Sequence, residues 1–174
     1  MPIQIRLALA EDEHRCLELL FMLPGKEHKT DRSAVFQALL TRERGQILVA
    51  EEDGMLLGSA SVTFNLAMRY GGEYCQLEEL IVDPAARGKK LGGLLLEATI
   101  AEARARGCAE YGLNLVEWSK DNRPFYEKYG LRRSAKKCGC RFSALHPTAA
   151  LPLRPTAKCY RPARPPHPPA GSGR

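Results

Sequence analysis

The residues best suited to chemistry lie in a loop of glycines and cations near the middle of the chain. Residues 76–95 read QLEELIVDPAARGKKLGGLL, which predicts an apolar strand, a proline turn, a loop and the start of a helix. Unpaired backbone N–H groups and the positive end of the helix dipole meet at such a junction, so it predicts a phosphate or pyrophosphate site. The glycines that allow close approach and the cations that add charge are Gly88, Gly92, Gly93, Arg87, Lys89 and Lys90.

Two common nucleotide motifs are absent from this loop. The chain has no G-x-x-x-x-G-K-(S/T) sequence, which excludes a P-loop, and it has no G-x-G-x-x-G sequence. The strand before the loop also lies in the middle of the domain, which argues against a dinucleotide-binding fold. Taken alone, the loop is equally compatible with a strand–helix turn whose lysines are only solvated.

A second segment, residues 118–131, reads WSKDNRPFYEKYGL. With this segment, the sequence resembles the GNAT superfamily of acyl-CoA-dependent N-acetyltransferases over roughly residues 3–135. The pyrophosphate loop of that family reads (Q/R)-x-x-G-x-(G/A), and residues 87–92 here read RGKKLG. A later family motif ends in F-Y-E-K-x-G-F, and residues 125–131 here read FYEKYGL.

The resemblance implies an α/β fold, in which a mixed, splayed central β-sheet is flanked by helices in a three-layer αβα arrangement. It also implies acetyl-CoA as the co-substrate. The backbone of Leu80, Ile81 and Val82 would pair with pantetheine, and an N–H group there would polarise the thioester carbonyl. The other implied cofactor contacts are Arg87, Gly88, Lys89, Lys90, Leu91, Gly92, Gly93, Ser119 and Asn122.

Three positions depart from the family pattern. Lys90 replaces the first loop glycine, which predicts a looser backbone approach and a side chain that can contact phosphate instead. Ser119 stands where many members have an asparagine that hydrogen-bonds coenzyme A. Asn122 stands where a small residue is usual. These changes bear on the affinity for the cofactor.

Acetyl transfer to an amine needs a base, an oxyanion donor and a proton for the leaving thiolate. The base is needed because a free alkylamine has a pKa of about 10, like lysine. The resemblance implies that Tyr126 of the F-Y motif protonates the thiolate. The alternative is that Tyr126 only packs beneath its short helix beside Phe125.

Two adjacent glutamates on the strand before the loop are the candidates for the base. Strand alternation predicts that Glu78 and Glu79 point to opposite faces. Glu78 shares its parity with Leu80 and Val82, so we favour Glu78 over Glu79 as the base. A solvated acidic pair, or amine binding without proton transfer, is the other interpretation.

Hydrophobic periodicity predicts an alternating order of strands and helices around these residues. Strands are predicted at residues 3–9, 47–51, 56–66, 74–82 and 111–116, with a tight hairpin at Asp53-Gly54. Helices are predicted from residue 11, after an N-cap at Ser33, at 90–106, and after an N-cap at Asp121. The helix at 90–106 should bury Leu91, Leu94, Leu95, Ala98, Ala101 and Ala105. Residues 131–145 should supply one or two closing strands.

The net charge of +6 belongs to the end of the chain. Residues 1–131 carry a charge of −4, whereas residues 132–174 contain ten lysines and arginines and no acid. This distribution excludes a basic nucleic-acid-binding domain. From residue 146 onward, eight of 29 residues are proline, which predicts a disordered tail at 146–174 after a domain at 1–145.

Cysteines and sorting signals point to a reduced compartment. Cys16, Cys75 and Cys108 each lie in an apolar segment, where free cysteine acts as a small hydrophobe. Cys138-Gly-Cys140 is too tight for zinc-ligand spacing, so no metal is expected. No apolar run approaches about 20 residues, and the N-terminus has no secretory pattern. We expect a cytoplasmic protein with no membrane partner.

The combined prediction is an N-acetyltransferase that moves acetyl directly from acetyl-CoA to a primary amine. Residues 70–79 resemble the small-molecule branch of the family, so a small-molecule amine is the expected acceptor. The alternatives are a protein or peptide N-acetyltransferase and a non-catalytic acyl-CoA-binding module. Dimers are common in the family, so the resemblance also allows a homodimer.

Overall fold

The computed structural model describes residues 2–23, 31–115, 117–133 and 140–143. The strands in these residues are β1 (Gln4–Leu7), β2 (Gly45–Glu52), β3 (Met55–Ala67), β4 (Gly72–Val82), β5 (Glu110–Leu115), β6 (Arg132–Arg133) and β7 (Cys140–Ser143). The helices are α1 (Glu13–Phe21), α2 (Ser33–Leu40), α3 (Leu91–Arg106) and α4 (Arg123–Lys128). The tail predicted at 146–174 lies outside the described residues and stays a prediction.

The described strands form one mixed sheet in the order β1-β2-β3-β4-β5-β7-β6. Neighbouring strands are antiparallel except β4 and β5, which are parallel and are joined by a crossover through α3. Their pairing runs only from Tyr74 opposite Glu110 to Leu77 opposite Leu113. Within the described residues, the last part of β4 therefore separates from β5, which confirms the predicted splayed sheet.

Helices cover both faces of the sheet. On one face, α3 packs into a core that contains Val62, Leu77, Leu91, Leu95, Leu96 and Ile100. On the other face, α1 and α2 pack into a second core that contains Cys16, Phe36, Ile47, Val49 and Leu56. These two cores confirm the predicted three-layer αβα arrangement.

The buried face of α3 is rotated from the predicted one. Leu94, Ala101 and Ala105 were expected in the core, but all three are exposed. The fully or largely buried positions are Leu91, Gly93, Leu95, Leu96, Thr99, Ile100 and Ala103. The prediction failed because it placed Ala101 and Ala105 in the buried stripe and left out Leu96, Thr99, Ile100 and Ala103.

A buried hydroxyl pair explains how Thr99 is accommodated. Its Oγ1 donates to the backbone carbonyl of Leu96 at 2.8 Å and lies 2.7 Å from the hydroxyl of Tyr111. Because Thr99 has only one proton to give, Tyr111 must donate to Thr99. Burial raises the pKa of Tyr111, which keeps it a neutral donor. The pair ties α3 to β5.

The end of β1 also differs from the prediction. The strand stops at Leu7, and Ala8 rather than Leu9 is buried. The backbone N–H of Leu9 donates to Oδ2 of Asp12 at 2.7 Å, and Asp12 also accepts a hydrogen bond from Arg6 at 2.6 Å. This carboxylate turns the chain toward α1 before the alternation reaches Leu9.

Two predicted helix caps are each wrong by one residue. Ser33 is the first residue of α2, and its backbone N–H donates to Oδ1 of Asp31 at 2.9 Å. Asp121 lies within a 3-10 segment, and α4 begins after it, at Arg123. In contrast, Asp53-Gly54 has the positive φ angles, 53° and 77°, that its predicted tight hairpin requires.

Gly93, in the first turn of α3, leaves room for a side chain from beyond α4. A Cβ at this position would lie 1.9 Å from the hydroxyl oxygen of Tyr129 and 2.7 Å from its Cζ. A Cβ at the neighbouring Gly92 would make only ordinary contact, 3.6 Å from Cζ of Phe125. The close approach at Gly93 is therefore made by Tyr129, which fixes the segment after α4 against the start of α3.

We expect Gly93→Ala to lower the free energy of unfolding by about 1–3 kcal/mol, because it overpacks the contact with Tyr129. Gly92→Ala is the matched control and should be neutral or stabilising by up to about 1 kcal/mol, since alanine favours a helix. Urea denaturation of both variants measures the difference. Tyr129→Leu should rescue Gly93→Ala, and equal stability of the two alanine variants would contradict this packing.

Candidate active site

The end of β4 offers an open backbone edge. Leu80, Ile81 and Val82 pair with residues 58–60 of β3, but within the described residues they do not pair with β5. Ile81 faces α1 and α2, whereas Leu80 and Val82 pack toward α3. Because backbone N–H and C=O groups need partners, this edge can pair with an extended ligand that brings amide groups of its own.

The loop that follows β4 is held at its first residue. The Asp83 carboxylate accepts a hydrogen bond from the backbone N–H of Ala85 at 2.8 Å and pairs with Arg15 of α1. These contacts lower the pKa of Asp83, with the backbone hydrogen bond as the larger cause. The backbone N–H of Asp83 also donates to the carbonyl of Leu57 at 2.8 Å. The loop therefore leaves the sheet in a defined direction.

Lys90 ends the loop in the left-handed conformation that favours glycine. Its φ and ψ angles are 63° and 16°, and it is the N-cap residue of α3. Gly88 also has a positive φ angle, 88°. The loop therefore keeps the backbone of a glycine-rich turn at the position where this chain has lysine, at a cost of about 1–2 kcal/mol.

The three loop cations differ in their surroundings. Lys89 forms an ion pair with Glu52, the last residue of β2. Arg87 and Lys90 are exposed, and in the described part of the chain neither forms an ion pair. Arg87 and Lys90 are therefore available to an anion at the start of α3, whereas Lys89 is held against the β2–β3 hairpin.

A β-bulge interrupts β4 at Glu78. In the pairing of β3 with β4, Val62 lies opposite Leu77 and Ser61 lies opposite Glu79. Glu78 is thus an extra residue between two paired positions, which is the defining feature of a bulge. Before the bulge, the odd-numbered residues Cys75 and Leu77 face α3. Beyond it, Glu79 and Ile81 face α1 and α2.

The bulge places both glutamates on the face that α1 and α2 cover. Glu78 accepts a hydrogen bond from Oγ1 of Thr63 at 2.5 Å, and Glu79 accepts one from the hydroxyl of Ser61. Ser61 and Thr63 are two residues apart on β3, so they share a face. The prediction that Glu78 and Glu79 point to opposite faces is therefore wrong, because strand alternation fails at a bulge.

Of the two glutamates, Glu79 lines a cavity of about 310 Å³ and Glu78 does not. The cavity lies between α1, α2 and the sheet, and Glu79, Ser59 and Ser61 form its polar part. Its apolar lining includes Leu17, Leu20, Val35, Phe36, Leu39 and Ile81. Glu79 therefore faces a half-open pocket that can hold a ligand. Glu78 is exposed outside that space.

Tyr126 lies on the other face of the sheet, in the core that α3 builds. It is 8% exposed, and its ring lies 5.0 Å from the ring of Phe125 in an edge-on contact. Burial raises the pKa of its phenol, so the hydroxyl keeps its proton at neutral pH. Tyr126 therefore packs in the core, and its protonated hydroxyl is also able to donate a hydrogen bond.

The remaining predicted cofactor residues lie before and at the start of α4. Ser119 is buried, with 9% of its surface exposed. Asn122 is exposed and is the N-cap residue of α4, although its side chain makes no capping hydrogen bond.

The cavity and its hydroxyl groups were missed by the sequence prediction. Ser59, Ser61 and Thr63 recur at every second position of β3, which is the signal of a polar face within an otherwise apolar strand. Tyr129 was missed as well, because nothing in the sequence pairs it with Gly93. The cavity itself arises from two helices that are far from β4 in the chain.

Three cysteine thiols in the described residues are buried and free. Burial raises the pKa of Cys16 to about 12 and that of Cys108 to about 11. It also raises the pKa of Cys75. These thiols stay protonated at neutral pH, so none of the three is a ready nucleophile. They are the small apolar residues that the sequence predicts.

The described residues contain neither a candidate metal centre nor a membrane-spanning helix. No group of three or more His, Cys, Asp and Glu side chains there could hold a metal ion. No described helix is long and apolar enough to cross a membrane.

Comparisons with known proteins place this geometry in a family. The model of the acetyltransferase (GNAT) family matches residues 8–131. The chain is 31% identical over 136 residues to glucosamine 6-phosphate N-acetyltransferase from Trypanosoma brucei brucei, an alignment that covers 76% of this chain and 90% of that protein.

Solved structures show the same fold. The crystal structure of glucosamine-6-phosphate N-acetyltransferase from Arabidopsis thaliana matches with a TM-score of 0.67 and 25% identity, covering 80% of this chain and 97% of that one. A transcriptional regulator from Bacillus halodurans C-125 matches with a TM-score of 0.69 and 24% identity, covering 79% and 97%. The family model, the curated relative and the splayed sheet agree, and the chain belongs to the GNAT family of N-acetyltransferases.

Proposed function

We propose that this N-acetyltransferase moves acetyl directly from acetyl-CoA to a small-molecule amine at the open edge of β4. The observation that carries the proposal is that this edge separates two chemically different faces. The phosphate loop and Tyr126 lie on the α3 face, and Glu79 lies in the cavity on the other face. A donor and an acceptor can therefore meet at the edge from opposite sides.

The residues on the α3 side fit acetyl-CoA, which supplies an activated acetyl thioester when bound. The open backbone of residues 80–82 suits the amides of a pantetheine arm. The N–H groups at the start of α3 suit a pyrophosphate, with Arg87 and Lys90 adding charge. Lys89 would first have to leave Glu52. The proposed contacts also include Gly88, Leu91, Gly92, Gly93, Ser119 and Asn122.

We assign the general base to Glu79 rather than to Glu78. Glu79 faces the cavity and Glu78 does not. The Ser61 hydroxyl donates to the Glu79 carboxylate and so holds it in place. An ammonium group bound there would give up one proton to Glu79 directly or through a water, and the amine nitrogen would then attack the thioester carbonyl carbon. The nitrogen would lose its second proton to water as the amide forms.

We assign to Tyr126 the role of stabilising the leaving thiolate of CoA. As the carbon–sulfur bond breaks, the electron pair goes to sulfur, and the Tyr126 hydroxyl can donate a hydrogen bond to it. A thiol has a pKa of about 8.5, below that of a buried phenol, so complete proton transfer from Tyr126 is uphill. The hydroxyl therefore stabilises the departing thiolate, which takes its proton later from solvent.

Direct transfer is supported by the state of three cysteines, Cys16, Cys75 and Cys108. An acetyl-enzyme intermediate would need a reactive thiolate near the open edge. Cys16, Cys75 and Cys108 are buried, with pKa values raised by burial. The proposal therefore requires both substrates to be bound at the same time.

The curated relatives support a small-molecule acceptor, since two of them are named glucosamine 6-phosphate N-acetyltransferases. The size of the cavity supports the same class, because a space of about 310 Å³ suits a compact ligand. A cytoplasmic location, a homodimer and the domain boundary at residue 145 stay predictions.

We expect the full-length protein to release free CoA from acetyl-CoA when a small primary amine is added, as measured with a thiol reagent.

Glu79→Gln should lower kcat/KM at pH 7 by about 10²-fold, since general base assistance is lost. The defect should shrink near pH 10, where alkylamines are deprotonated without help. Glu78→Gln is the matched control and should stay within about threefold of wild type. A larger loss in Glu78→Gln than in Glu79→Gln would reverse the assignment.

Tyr126→Phe should lower kcat by about 10²-fold with little change in the KM for acetyl-CoA, because only the hydrogen bond to the leaving thiolate is lost. Tyr129→Phe, a neighbouring tyrosine in the same aromatic cluster, is the control and should keep its kcat. Steady-state rates at saturating amine make the comparison. A normal kcat in Tyr126→Phe would show that the residue only packs.

Lys90→Gly should have two opposite effects. It removes a lysine from a left-handed backbone conformation, so the free energy of unfolding of the free protein should rise by about 1 kcal/mol. The free protein should therefore unfold at a higher temperature. It also removes a cation from the anion site, so the thermal shift caused by acetyl-CoA should shrink. Arg87→Ala should reduce that shift too, and Lys89→Ala should reduce it less. An unchanged shift in Lys90→Gly would contradict a phosphate contact.

A further inference from the structure

The lining of the cavity beside Glu79 indicates which amine it accepts. We infer that the acceptor carries a compact apolar group, alkyl or aryl, rather than a phosphate or a polyhydroxylated ring. This inference rests on the function proposed above. The cavity of about 310 Å³ lies at the lower end of the range of about 300–1,000 Å³ typical of small-molecule sites.

The apolar part of the lining comes from both helices. Leu17 and Leu20 of α1 face Val35, Phe36 and Leu39 of α2 across the cavity. Val35 lines the cavity and is 60% exposed to solvent. An apolar ligand group in this space would cover such side chains, and binding is favoured in proportion to the apolar area removed from water.

The polar part of the lining is too small for a sugar ring. Each ring hydroxyl gives up hydrogen bonds to water and needs a partner in the site. Among the described lining residues, the sheet offers Ser59, Ser61 and Glu79. The proton of Ser61 already goes to Glu79. Asp31 and Arg32 also line the cavity, but the Asp31 carboxylate accepts from the backbone N–H of Ser33 and Arg32 stacks over the ring of Phe21. The sheet side of the described lining therefore matches one amine nitrogen rather than several hydroxyl groups.

The charges of the lining also disfavour a phosphate. Among its described residues, the ionised groups are the carboxylates of Asp31 and Glu79 and the guanidinium of Arg32. Arg32 stacks over the ring of Phe21 at 5.3 Å, directly after Asp31 in the chain. A lining with more carboxylates than cations attracts an ammonium group and repels a phosphate. The ammonium therefore belongs at Glu79, with its apolar group between α1 and α2.

The test compares acceptors in the full-length protein at fixed acetyl-CoA. The panel contains hexylamine, phenethylamine, glucosamine, glucosamine 6-phosphate and a short peptide with a free N-terminus. We expect kcat/KM for hexylamine or phenethylamine to exceed that for glucosamine 6-phosphate by at least about tenfold. Val35→Thr keeps the side-chain shape and should raise the KM for the apolar amine by about three- to tenfold. Ala38→Ser adds a hydroxyl to the same helix outside the cavity and should leave it unchanged.

The outcomes separate this inference from the proposed function. If glucosamine 6-phosphate is the best acceptor and Val35→Thr has no effect, the apolar acceptor is wrong but small-molecule acetyl transfer stands. If only the peptide is acetylated, or if no amine releases CoA although acetyl-CoA raises the melting temperature, both proposals are wrong. A preference for apolar amines that is lost in Val35→Thr and kept in Ala38→Ser supports both.

Discussion

The active site depends on one constraint, which is that β4 has a complete hydrogen-bonding partner on one side only. Its pairing with β3 continues to Val82, whereas its pairing with β5 ends at Leu77 within the described residues. The connection from β4 to β5 is a crossover through α3, so the first turn of α3 must begin where β4 ends. The anion loop and the open edge are thus neighbours by topology, and the edge can bind an extended chain whose phosphates reach α3.

One inserted residue then decides which side chains serve each face. At Glu78 the alternation of β4 slips, so that Glu79 turns toward the cavity between α1 and α2. A regular strand would have pointed position 79 to the same face as Leu77, into the core beneath α3. The carboxylate would then be buried among apolar side chains without the Ser61 hydroxyl. The bulge is therefore what allows a base and a leaving-group donor to lie on opposite faces of one edge.

The sequence predicted the features that are encoded locally and missed those that arise from distant contacts. The hairpin at Asp53-Gly54 follows from residue types whose backbone preferences are strong, and it occurs as predicted. The predicted order of strand, loop and helix around residues 87–93 also occurs. The bulge at Glu78 has no residue signature, so the direction of the two glutamates could not be read from alternation. The buried face of α3 was mispredicted for a related reason, since the burial of Thr99 depends on Tyr111, a residue of the next strand.

The loop is positioned by side chains from other layers rather than by its own residues. Asp83 at its start pairs with Arg15 of α1, and Lys89 near its end pairs with Glu52 at the β2–β3 hairpin. Ion pairs near the protein surface add little to stability, so their main effect is on position. Arg15 also precedes Cys16, which lines the acceptor cavity. A shift of α1 would therefore move the cavity wall and the anchor of the phosphate loop together, which couples the geometry of the two substrate sites.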